Sequence, residues 1–311
     1  MSPTVLFSAP DRLWPAYATA LPAALARAGI AGARLTREAA PDTVDYIVYA
    51  PNDALRDFTP FTRTKAVLSL WAGVEKIAAD PTLTQPLCRM VEPGLALGMR
   101  DYVVGHVMRY HLGTDRYVAG PRDTWERVVP PLARDRKVTV LGLGELGATC
   151  AAALAGLGFR VTGWSRRPKD LPGIACLAGP DALSAALGAA EILVLLLPDT
   201  SPTRSILNAD RLAALPQGAC LVNPGRGTLV DDDALLAALD SGHVAHATLD
   251  VFRTEPLPPG HRYWSHPRVT VTPHVAADTR PDTASDVIAE NIRRGEAGEP
   301  FLHLVDRAAG Y

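Results

Sequence analysis

Cysteine is scarce: Cys88, Cys150, Cys176 and Cys220 are scattered through 311 positions with no CxxC spacing. That pattern argues against a disulfide framework and suits free thiols buried among apolar neighbours in a reducing cytoplasm. Long hydrophobic runs are missing too, none approaching the roughly 20 residues of a membrane-spanning helix. The opening MSPTVLFSAPDRLW has neither the cationic start nor the long apolar core of an export signal, so a soluble cytoplasmic protein is expected. Charge of one sign is not in excess, and a formal net charge of -2 gives no general attraction to nucleic acid or acidic membranes. The histidines show no HExxH or Cys/His ligand spacing. His243 and His246 come nearest to a pair, but they fall at a predicted helix-to-strand turn, and no metal is expected. No internal repeat or low-complexity tract is visible.

What is present is apolar material, 48% of residues, enough for large cores, in a chain longer than a usual single domain; two lobes are expected. The first part alternates strand-like and helix-like stretches at 4–7, 16–28, 44–49, 65–70 and 74–79, the pattern of a small α/β lobe. A longer helix is predicted over 99–111. A loop-rich crossover follows, through Gly120, Pro121, Trp125, Pro130 and Pro131. The alternation then resumes, with strands at 138–141, 159–164, 192–197, 219–223, 245–251 and 269–272. Helices at 148–157, 181–190, 209–215 and 232–239 fall between them, as in a doubly wound parallel sheet. A last helix, 281–294, carries the chain back to the first lobe. The expected boundaries are 1–97 with 282–311 for one domain and 98–281 for the other.

The most informative segment is VTVLGLGELG, an apolar run ending in Gly142-x-Gly144-x-x-Gly147 and leading into an alanine-rich helix. Gly142 permits a tight turn, Gly144 lets backbone amides approach a pyrophosphate, and Gly147 lets the helix pack on the strand. Gly142, Gly144, Glu145, Leu146 and Gly147 form the expected cofactor-binding turn, with the helix N-terminus that follows facing a dinucleotide's negative charge. The second strand closes the case for a βαβ unit and narrows the cofactor. An NAD site usually places an acid about 20 residues past the glycines to hold the ribose 2′-hydroxyl. Here that position is Ser165, followed by Arg166, Arg167 and Lys169. A small hydroxyl beside cationic groups suits a 2′-phosphate, so NADP(H) is expected in preference to NAD(H).

Three strand ends carry the candidate chemistry: Arg226 in NPGRG, Glu255 in DVFRTEP and His274 after Pro273. In an open α/β sheet the carboxyl ends of strands line the ligand crevice, so residues far apart in sequence can converge there. The trio suits reduction of a 2-keto acid. Arg226 would bind the carboxylate and polarise the neighbouring carbonyl, His274 would donate the proton as hydride arrives, and Glu255 would hold the imidazole and favour its charged form. Each has a plainer reading in isolation: a surface arginine, the start of a loop, a hydrogen-bonded core histidine. The joint pattern outweighs them.

The turn GLGELG, WSRRP after the second strand, LLPDTSPT, NPGRGTLVDDDALLAALDSG, LDVFRTEPLPP and HPRVTVTPHVA resemble the D-2-hydroxyacid dehydrogenases, and within them the glyoxylate/hydroxypyruvate reductase branch. SLWAGVE and the terminal VDRAAGY are shared with that branch as well. The resemblance implies a Rossmann cofactor domain with a smaller flavodoxin-like α/β substrate domain, and catalytic roles for Arg226, Glu255 and His274. It implies that Trp71, Ala72, Gly73 and Val74 form the substrate-binding segment, whose amides at 72–74 take the substrate carboxylate. Asp250 would hold the nicotinamide carboxamide, Pro198 and Thr203 would line the cofactor cleft, and the region near Trp125 would make a homodimer contact. The activity implied is NADPH-dependent reduction of glyoxylate to glycolate and hydroxypyruvate to D-glycerate, in a cleft that closes to exclude water. The alternatives are an NADP(H)-sensing regulatory protein on the same fold and a reductase of bulkier keto acids such as phenylpyruvate. Relatives specialised for formate carry glutamine in place of the glutamate partner, and phosphoglycerate dehydrogenases commonly add regulatory domains. Glu255 and the end at Tyr311 make either less expected.

Overall fold

The computed structural model describes residues 2–30, 32–118, 125–307 and 310. Two compact units emerge, 1–95 together with 278–311, and 96–277. The first is built on β1 (Thr4–Ser8), β2 (Arg34–Thr36), β3 (Tyr46–Tyr49), β4 (Ala66–Ser69) and β5 (Leu87–Cys88). These pair in parallel in the order β2-β1-β3-β4-β5, the flavodoxin-like arrangement. Side chains alternate across the sheet. Val5, Phe7, Tyr46, Val48 and Leu68 meet Leu21 and Leu25 of the helix Trp14–Arg27 and Ile288 and Ile292 of the helix Pro281–Ala297. Leu6, Ile47 and Val67 meet Phe58, Ile77 and Leu83 on the other face. A strand buried on both faces reads as a continuous apolar run, as TVLF and YIVY do.

The second unit has β6 (Lys137–Leu141), β7 (Arg160–Ser165), β8 (Ile174–Ala178), β9 (Ile192–Leu195), β10 (Ala219–Asn223), β11 (Val244–Leu249) and β12 (Val269–Val271). All are parallel, in the order β12-β11-β10-β9-β6-β7-β8, the doubly wound Rossmann pattern. The order reverses between β6 and β9, which opens a crevice at the carboxyl ends of the strands. Leu141, Leu193, Leu221 and Leu249 pack on Leu187, Leu212 and Leu235 from the helices of one face. Val138, Val140, Val194 and Val222 pack on Val103, Val107 and Leu154 from those of the other. Local signals start the helices: the Asp231 side chain accepts from Ala234 N at 3.0 Å to cap Asp232–Asp240, and Asn208 caps Ala209–Ala213 through Arg211 N.

Several elements differ from the sequence expectation. β2, β5 and β8 were not anticipated, and the helix after the glycine turn starts at Glu145, three residues early. One-turn helices occur at Asp115–Val118, within the expected crossover loop, and at Arg262–Ser265. Gly120 and Pro121 of that loop, and Ala308, Ala309 and Tyr311 of the terminal motif, lie outside the described residues. All four cysteines are free, but Cys176 and Cys220 are only partly buried, not enclosed like Cys88 and Cys150. Among the described residues no helix is long and apolar enough to cross a membrane, and no cluster of three or more His, Cys, Asp or Glu side chains is placed to hold a metal.

Candidate active site

The glycine turn separates what the protein itself requires from what it does not. Gly142 has φ 105°, and a Cβ there would overlap Leu196 O. A Cβ on Gly147 would overlap Gly142 O, so helix and turn come together only because that position is bare. Gly144, at the N-cap of Glu145–Gly156, is different: a Cβ would meet no protein atom within 4 Å. Folding therefore does not demand glycine at 144, whereas close approach of a phosphate to the helix N-terminus does. Gly144 and Glu145 are exposed and Leu146 is half-buried. At the end of β7, Ser165 is buried and its hydroxyl donates to Arg167 O at 2.7 Å, which turns the chain so that Arg166, Arg167 and Lys169 face solvent. These residues fit a dinucleotide with a 2′-phosphate: donors and cations stand where the phosphates would lie, and no carboxylate occupies position 165. Past β9, Thr203 Oγ1 binds Pro198 O at 2.6 Å and accepts from Thr200 N at 2.9 Å, so it shapes the loop 198–203 from within.

Arg226, Glu255 and His274 follow β10, β11 and β12, three adjacent strands, at their carboxyl ends. Two glycines seat the Arg226 loop. A Cβ on Gly225 would come within 2.8 Å of Leu195 O, and one on Gly227 would overlap the Phe252 backbone, so glycine lets this loop press against the segment that carries Glu255. Asn223 fastens it, donating to Arg226 O at 2.9 Å and accepting from Gly225 N at 3.2 Å. The Arg226 guanidinium donates to Gly225 O at 2.7 Å and is half-buried. Glu255 and His274 touch: Oε2 stands 2.8 Å from Nδ1, and Oε1 accepts from Phe252 N at 2.8 Å. The bond at Nδ1 orients the ring and leaves Nε2 to act, and the His274 side chain is 55% exposed, open to a reactant.

Asp250 plays a part that its sequence context did not reveal. It is fully buried, and its carboxylate accepts from Thr272 Oγ1 at 2.6 Å, Val275 N at 2.9 Å and Ala276 N at 3.0 Å, while its carbonyl accepts from His274 N at 2.8 Å. His274 itself lies at φ 53°, a left-handed conformation that costs a non-glycine residue about 1–2 kcal/mol. The only sequence signal was a lone acid at a strand end. In the first unit, the segment 71–74 leaves the end of β4. Ser69 Oγ bonds both Trp71 N and Trp71 O at 3.0 Å, and Met90 N donates to Trp71 O at 3.0 Å, which fixes the backbone just ahead of Ala72, Gly73 and Val74. Trp71 is exposed and Val74 buried.

A doubly wound sheet with a glycine phosphate turn and a paired glutamate and histidine at its carboxyl edge defines a nucleotide-dependent dehydrogenase. Residues 102–276 match the family described as D-isomer specific 2-hydroxyacid dehydrogenase, NAD binding domain. Glyoxylate/hydroxypyruvate reductase A of Serratia proteamaculans is 42% identical over 257 residues, 80% of this chain and 82% of that one. Among solved structures, a D-isomer specific 2-hydroxyacid dehydrogenase from Xanthobacter autotrophicus in complex with NADPH and MES superposes with a TM-score of 0.92, 41% identity and full coverage of both chains. The NADPH-dependent glyoxylate/hydroxypyruvate reductase of Sinorhizobium meliloti, with NADP and sulfate, gives 0.83 and 32% over 99% of this chain and 100% of that one. The chain belongs to the D-isomer specific 2-hydroxyacid dehydrogenase family.

Proposed function

We propose that the protein reduces small 2-keto acids with NADPH, glyoxylate to glycolate and hydroxypyruvate to D-glycerate. The observation that carries this reading is the 2.8 Å contact of Glu255 with His274 at the carboxyl edge of the dinucleotide-type sheet. When bound, NADPH would supply the hydride. Arg226 binds the substrate carboxylate and draws electron density from the adjacent carbonyl, through charge-assisted bonds worth about 1.5–3 kcal/mol each. His274, held at Nδ1 by Glu255, delivers a proton from Nε2 to the developing alkoxide. Asp250, whose Oδ2 accepts from Ala276 N, is the residue proposed to take the carboxamide of the nicotinamide, and Pro198 and Thr203 would border the ring's cleft. The choice of NADP(H) rests on Ser165, Arg166 and Arg167, supported by the ligands named in the Xanthobacter and Sinorhizobium structures.

The same proposal gives Trp71 and the amides of Ala72, Gly73 and Val74 a role in substrate binding. It also includes a homodimer. Trp125 is 98% exposed, and Val118, Val129 and Leu132 are exposed near it in sequence, an apolar stretch suited to a second copy. Four free thiols suit the cytoplasm. The test is consumption of NADPH with a panel of glyoxylate, hydroxypyruvate and phenylpyruvate. His274→Ala should depress turnover at least a hundredfold while NADPH affinity holds, general acid catalysis contributing roughly 10²–10⁴. Unchanged turnover would remove the histidine from the mechanism, and cofactor binding without consumption by the native protein would favour a sensor.

A further inference from the structure

The helix Pro93–Leu112 sets two tyrosines against threonines, Thr248 within β11 and Thr272 just past the end of β12. Tyr102 Oη lies 2.7 Å from Thr272 Oγ1, and Tyr110 Oη lies 2.6 Å from Thr248 Oγ1. The pairs look alike and lead to different places. Thr248 continues only to His106 Nδ1, at 3.4 Å. Thr272 continues to the buried carboxylate of Asp250, at 2.6 Å.

Proton counting fixes the direction of the second chain. Thr272 donates its one hydroxyl proton to Asp250, so the hydrogen between Tyr102 and Thr272 comes from the tyrosine. Burial pushes the Tyr102 phenol up to about 12, so that proton is in place at neutral pH. The chain therefore runs from Tyr102 to Thr272 to Asp250, each donor polarising the next. Beyond Asp250 stand the amides of Val275 and Ala276, which directly follow His274 in its left-handed backbone. A carboxylate free to rotate would release those amides, and the imidazole would lose the backbone geometry that presents it.

We propose that Tyr102 is a positioning residue for His274, acting through Thr272 and Asp250, although it touches neither the imidazole nor its glutamate. This rests on the reading of His274 as proton donor. Tyr102 belongs to the helix rather than to any strand end, so no motif around the reacting groups would disclose it.

Steady-state reduction of glyoxylate with NADPH tests it in the native chain, Y102F, T272V, the double variant, T272S, and Y110F as control. Tyr102→Phe should lower kcat roughly three- to tenfold, the effect of one lost hydrogen bond, with the KM for glyoxylate little changed. Tyr110→Phe removes an equivalent hydroxyl from the same helix and should leave kcat at the native value. Thr272→Ser should retain activity where Thr272→Val loses it, and adding Tyr102→Phe to Thr272→Val should cost nothing further. Native kcat in Y102F, an equal loss in Y110F, or losses that multiply in the double variant would each overturn the inference. Should Thr272→Val fail to fold, Y102F against Y110F decides alone. A native protein that consumes no NADPH would instead overturn the proposed reaction, and this inference with it.

Discussion

On the proposed reading, cofactor choice turns on Ser165. Its hydroxyl closes the turn onto Arg167 O, and a carboxylate at that position would face the 2′-phosphate with like charge. Ser165→Asp should shift the ratio of kcat/KM for NADPH over NADH by roughly tenfold or more toward NADH, a change of about 1.4 kcal/mol. An unaltered ratio would place the selectivity elsewhere. If Arg226 binds the substrate carboxylate as proposed, it acts on ground state and transition state together, so Arg226→Ala should raise the KM for keto acid and lower kcat, whereas His274→Ala should lower kcat alone. Asp250 shows where residue-level reading stops. A carboxylate with three donors around it is defined by how β11 and β12 register, and nothing in LDVF states that register.

At the scale of elements, one carboxylate organises two helix starts. Glu92, 3% exposed, accepts from Gly94 N and Leu95 N at the head of Pro93–Leu112, and from Arg280 N and Thr283 Oγ1 at the head of Pro281–Ala297. Glu92→Ala would leave these donors unpaired beside two positive helix ends and should cost about 3 kcal/mol or more, measured by chemical denaturation. A loss below about 1 kcal/mol would mean water takes its place. The helices and central strands were legible because their apolar positions repeat and their ends carry Gly, Asp or Asn. β2, with three residues, and β5, with two, are strands only because a neighbour pairs with them, and β8 is an edge strand whose residues are half exposed. The crossing of strand ends was legible too: a doubly wound sheet places Glu255 and His274 at one edge, and their contact follows from adjacent strands. Why glycine stands at 225 and 227 is not legible in the sequence, because the backbones these residues approach lie far away in it.

For the molecule as a whole, half-buried histidines add to acid sensitivity. Burial lowers His246 from 6.5 to about 4 and lowers His106 as well. Unfolded chains bind these protons below about pH 6.5 and the folded protein does not, so stability is full above that pH and falls as pH drops toward 4. The His246 contribution is about 3 kcal/mol at most. Urea midpoints measured across that window should decline in the native protein and decline less in His246→Asn; parallel curves would locate the acid sensitivity elsewhere. The account as a whole stands on chemistry at the Glu255–His274 pair, and single-turnover reduction of glyoxylate by enzyme-bound NADPH, native against H274A, addresses it most directly. The expected result is rapid oxidation of the bound cofactor in the native protein and a rate at least a hundredfold slower in the variant, with the NADPH Kd unchanged. Equal rates in both, or bound NADPH that persists in the native protein, would contradict it.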